Sequence, residues 1–86
     1  MNEIKYENKT IKIPKPFNEC NFGKNPLEKV EIANRFSGEK TMLPNFAVAI
    51  YDVIIGSEVI NDHQTMRKGL DWFSKNFTNE YMVLLD

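Results

Sequence analysis

From Phe46 to Ile60 the chain reads FAVAIYDVIIGSEVI, with Asp52 the only charge before Glu58. Its β-branched residues would suit a buried strand, but strands rarely exceed ten residues, so length predicts a helix starting at Pro44-Asn45. So apolar a helix has no proper solvent face. It must be the central core element or be covered by another subunit.

The next segment is amphipathic. Met66, Leu70, Phe73 and Phe77 recur at spacings of four, three and four, which places them on one buried face of a helix over 62–76. Asn61 or Asp62 supplies the N-cap, and Asn61 with Gln64 fits a capping box. Arg67–Asp71 and Asp71–Lys75 are i,i+4 pairs on the outer side. Asn76 suits the left-handed conformation that ends a helix.

Residues 3–13 alternate as a β-hairpin. A turn at Asn8-Lys9 pairs Tyr6 with Ile11 and Ile4 with Ile13 and gathers these four on one face. That register sets Lys5 against Lys12. From 14 to 42 the chain is punctuated by Pro14, Pro16, Gly23, Pro26 and Gly38 and reads as a long loop, with a short edge strand near 29–33. Tyr81–Leu85 is a continuous apolar run, read as a buried strand beside the hairpin. The predicted architecture is a single α+β domain over 1–86, a small antiparallel sheet (N-terminal hairpin plus C-terminal strand) packed on two helices.

Composition narrows the function more than it names one. A formal charge of −1 over 86 residues gives no general pull toward nucleic acid or anionic lipid. The halves differ: residues 1–43 hold eight basic and six acidic side chains, residues 44–86 three and six. A single cysteine, Cys20, excludes an intramolecular disulfide scaffold. MNEIKYENKTIKI lacks the apolar stretch of a signal peptide, and no apolar run reaches the ~18 residues of a membrane span. A cytoplasmic protein without membrane association is expected.

Four segments, NRFSGE (34–39), AVAIYD (47–52), GLDWF (69–73) and YMVLLD (81–86), resemble small hypothetical proteins of tailed marine bacteriophages, including cyanophages. The resemblance implies a phage-encoded intracellular accessory protein. It carries over no active site, cofactor or substrate.

The chemistry-bearing residues do not assemble into a catalytic signature. One histidine, His63, with the scattered carboxylates Asp52, Glu58 and Asp62 lacks the i,i+3 or i,i+4 ligand spacing within one helix, so no metal or other cofactor is expected. Cys20 and His63 sit in no nucleophile motif. The four glycines form no phosphate loop. Asp52, inside the apolar helix, is read as its one wet strip or as a partner of Arg35 or another base. No enzyme is expected. The leading reading is protein–protein contact, as a homodimer or with a host or phage protein, with Val48, Ile55 and Trp72 as candidate interface residues. For Trp72 the first reading is cover for the core edge beside Phe73, and the interface anchor is the second. The alternative function is a nucleic-acid-binding module, in which His63, Gln64, Arg67 and Lys68 on the helix at 62–76 would reach bases and phosphates. The missing basic patch speaks against it.

Overall fold

The computed structural model describes residues 1–85. Its element order is β1 (Glu3–Tyr6), β2 (Lys9–Lys12), a 3-10 turn (Phe17–Glu19), β3 (Lys29–Ala33), β4 (Lys40–Pro44), α1 (Asn45–Val59), α2 (His63–Asn76) and α3 (Thr78–Leu84). The class is α+β, with two separate two-stranded antiparallel sheets, β1–β2 and β3–β4.

The hairpin forms two residues away from the expected register. Glu3 faces Lys12, Ile4 faces Ile11 and Tyr6 faces Lys9. The turn is Glu7-Asn8, both left-handed at φ 48° and 66°, the geometry whose twist matches the flanking strands. A slip of two keeps side-chain parity, so the Ile4, Ile11 and Ile13 face still points into the core. It also separates the lysines, since Lys5 now opposes Thr10 and Lys12 opposes Glu3.

The segment 14–42 is more ordered than its punctuation suggests. The expected strand at 29–33 is present, and it pairs with β4, a strand that no local sequence signal marks. Asn34 organises the connection between them. Its carboxamide oxygen accepts from the backbone N–H groups of Phe36 (2.7 Å) and Ser37 (3.0 Å), while Gly38 takes φ 77°. Before β3, Phe17 and Phe22 fold into the core. The Lys15–Pro16 peptide is cis.

α1 begins where Pro44 predicts, and α2 is capped by Asp62, whose carboxylate accepts from Thr65 N–H at 3.2 Å. Asn61 takes φ 59° in the tight link between the helices, so the Asn61–Gln64 capping box does not form. Asn76 does not end α2 in a left-handed residue. It stays helical, its amide donates to Trp72 O at 2.9 Å, and the break falls at Phe77, φ −136° and ψ 60°.

The C-terminal strand is overturned. Thr78–Leu84 is a third helix, with Tyr81 N–H donating to Phe77 O and Leu85 N–H to Tyr81 O, both at 2.8 Å. An apolar run alone does not separate strand from buried helix. Here α3 satisfies its backbone locally and packs against β4 rather than pairing with the hairpin. Asn34 fixes its end by donating to Val83 O at 2.8 Å.

The core centres on Phe46, fully buried at the start of α1, whose ring lies 5.7 Å from Tyr6, 5.9 Å from Phe77 and 6.4 Å from Trp72. Trp72 and Phe73 are buried on α2, whereas Met66 and Leu70 are only half-buried. No helix among the described residues is long and apolar enough to cross a membrane.

Candidate functional site: a basic groove along the second helix

α2 turns His63, Gln64, Arg67, Lys68, Asp71 and Lys75 outward, all exposed. The spacing that buries Gly69, Trp72 and Phe73 dictates this, because residues three and four apart share a face. His63, Gln64, Arg67 and Lys68, with Asp71, line one depression of about 550 Å³. The sequence-predicted residues are therefore brought together.

The fold adds neighbours that the sequence does not reveal. A second depression of about 770 Å³ shares Lys68 and Asp71 with the first and lies between α2 and the exit of β2. Its walls include Lys12, Ile13, Pro14, Trp72 and Lys75. A third, of about 330 Å³, shares Lys75 and Asn76 with the second and runs under the hairpin turn, where Tyr6, Lys9, Lys29 and Phe77 line it. Six lysines and arginines border this groove (Lys9, Lys12, Lys29, Arg67, Lys68 and Lys75), against the carboxylates of Glu7, Asp71 and Glu80. The three depressions share walls, but strand alternation sends Lys9 and Lys12 to opposite faces of β2, and Lys29 and Lys75 are ion-paired. Half of the six bases come from the N-terminal half and meet α2 only in the folded state.

Several contacts hold the groove's walls. Trp72 donates its indole N–H to Lys12 O at 2.7 Å, and Lys68 Nζ reaches Lys15 O at 2.9 Å, tying α2 to the hairpin exit. Asp71 pairs with Lys75 and Glu7 with Lys29, each at 3.1 Å. Lys29 also lies 5.8 Å from the Tyr6 ring centroid, and its hydrogen bond to Glu7, then the nearby Tyr6, push its ammonium above the ordinary lysine range. Among the described residues, Lys9, Lys12 and Arg67 make no ion pair.

The remaining candidates scatter. Asp52 is exposed on the outer side of α1, and its suggested partner Arg35 pairs instead with Glu58 at 3.0 Å. Burial, then the Glu19 carboxylate, pushes the Cys20 thiol up, away from the thiolate a nucleophile needs. Among the described residues no group of three His, Cys, Asp or Glu side chains is placed to hold a metal.

Of the candidate interface residues, Trp72 is withdrawn: it is 5% exposed, a wall of the core and groove rather than a free anchor. Val48 and Ile55 are half-buried on the outer side of α1. There they join Ala49, Asp52, Gly56 and Val59, and Val59 is 72% exposed. Past its end, Ile60 is 73% exposed. Arg35 links the same end of α1 to the β3–β4 turn, stacking 4.9 Å over Phe36, which is 85% exposed.

Compared with protein-family models, curated proteins and solved structures, the chain matches none.

Proposed function

We propose that this chain is a phage-encoded accessory protein of the infected cell's cytoplasm, acting by macromolecular contact and not by catalysis. Its protein-binding surface is the outer face of α1, and its first partner is a second copy of itself. One observation carries this reading. α1 is amphipathic in burial but not in composition: Phe46, Ile50 and Ile54 face the core, Val48 and Ile55 are half-buried at its edge, and Val59 is exposed, with Asp52 and Glu58 the charges of that side.

Val48, Asp52, Ile55 and Val59 follow each other at spacings of four, three and four, the seam of a helix pair. In an antiparallel two-fold arrangement Val48 opposes Val59 of the second copy and Asp52 opposes Ile55. A helix of fifteen residues spans only ~22 Å, so the pair falls short of the ~800 Å² per partner of a standard interface and is expected to be dynamic.

Light scattering across a concentration series tests it. The mass should rise from 10.0 kDa toward twice that value, and Val59→Glu should hold it at the monomer without changing the circular dichroism melt. A monomer mass at every concentration sinks self-association. The surface would then await a host or phage protein.

A further inference from the structure

Phe36, Ile60 and Val59 are the three most exposed large apolar side chains among the described residues, and the fold gathers them at one end of α1. Val59 and Ile60 follow each other there in sequence. Phe36 arrives from the β3–β4 turn, and Arg35 ties it in. The Arg35 guanidinium bonds Glu58 at 3.0 Å and stacks 4.9 Å over the Phe36 ring. Scattered exposed hydrophobics are ordinary, whereas several brought to one place mark a contact surface.

The turn that carries the ring is firmly built. The Asn34 carboxamide oxygen accepts from the N–H groups of Phe36 and Ser37, and its amide donates to Val83 O on α3. Phe36 is thus held out to solvent on a fixed support, and an anchor held in place beforehand loses little freedom on binding.

What covers the ring follows from the antiparallel pairing of α1 with a second copy, and the inference rests on that reading. Glu58 lies three residues from Ile55, so Arg35 and Phe36 flank the Ile55 side of the seam. In the pairing Val59 opposes Val48, which sets the end of one α1 beside the first turns of the other. The fifteen-residue helix alone gives too little area for a standard interface. An aromatic side chain buries ~150–250 Å², so one ring from each copy supplies part of what the helix lacks.

We infer that Phe36 is the anchor of self-association. The β3–β4 turn of each copy clasps the start of the other's α1, with the Phe36 ring packed on Val48 of the second copy.

Sedimentation velocity across a concentration series compares the parent with Phe36→Ala. The dissociation constant should rise about tenfold or more, as for other aromatic anchors. Met42→Ala removes another exposed apolar side chain, one that lines the depression under the hairpin, and should stay within about twofold. Phe36→Ala combined with Val48→Ala should weaken association by less than the product of the two separate effects, because both truncations remove one contact. Circular dichroism melts establish that each variant is folded.

Association as tight in Phe36→Ala as in the parent overturns the inference alone. The α1 pairing would stand, and the ring would face a different protein. A parent that stays monomeric at every concentration overturns both. Equal weakening in Met42→Ala would reduce the effect to general hydrophobicity, and independent effects of the Phe36 and Val48 truncations would place the ring elsewhere. Each of these also overturns the inference.

Discussion

Gly69 on α2 lies so close to Ile54 on α1 that a β-carbon there would run into Ile54 Cγ1 and stand 2.9 Å from Cδ1 and 3.1 Å from Phe17 Cζ. Ile54 is 1% exposed and Phe17 fully buried, so neither has room to retreat. Gly56, at the outer side of α1, is the opposite case: nothing lies within 4 Å of where its β-carbon would be. Gly69→Ala should destabilise the fold by about 1–3 kcal/mol through overpacking. Gly56→Ala should stabilise it by up to ~1 kcal/mol, since alanine is the better helix residue. Urea denaturation of the two variants decides this, and equal effects would remove the close-contact role of Gly69.

The third helix should be an integral part of the fold. Leu84 is 5% exposed, and Asn34 links the β3–β4 turn to the end of α3. Leu84→Ala should cost ~2–4 kcal/mol. Asn34→Ala removes two turn hydrogen bonds and the bond to Val83 O, and should cost ~1–3 kcal/mol. Thermal melts measure both. Met82→Ala, at an exposed position of the same helix, should leave the melting temperature unchanged.

Stability should carry an acid-side signature from Asp62. Bonding to Thr65, by its side chain and its backbone N–H, holds the Asp62 carboxyl below its ordinary 3.8. A carboxyl lowered by folding stabilises the native state above its unfolded pKa and loses that contribution as pH falls through its folded value. Asp62→Ala should therefore melt below the parent at neutral pH, with the gap narrowing as pH drops below about 4. A gap constant with pH would mean that the cap acts without its charge.

Asp52 should oppose self-association. It is the one charged residue of the seam formed with Val48, Ile55 and Val59, and a polar seam residue sets register at a cost in affinity. Asp52→Leu should shift the monomer–dimer equilibrium toward dimer in sedimentation velocity. Weaker association in this variant would place the contact elsewhere.

The sequence by itself determined the elements whose signals are local. Pro44 set the start of α1. The Leu70–Phe73–Phe77 spacing set α2, and Asp62 supplied its cap from within four residues of Thr65. The inward face of the hairpin was also legible, because parity survives a slip of two. It was the turn that decided which register formed, through left-handed Glu7 and Asn8.

Tertiary structure decided the rest, because the deciding contacts join distant residues. Tyr81–Leu85 is equally apolar as strand or helix, and only packing on β4, with Asn34 at its end, makes α3. β4 acquires a partner only once Asn34 turns the chain back. The groove was half legible: periodicity gathered His63, Gln64, Arg67 and Lys68 on one face. Lys9, Lys12 and Lys29 carry no local mark of belonging with them. They line depressions adjoining that face, placed there by the core contacts of the hairpin and the Trp72 bond to Lys12 O. Net charge says nothing of such groupings, since it sums over the whole surface.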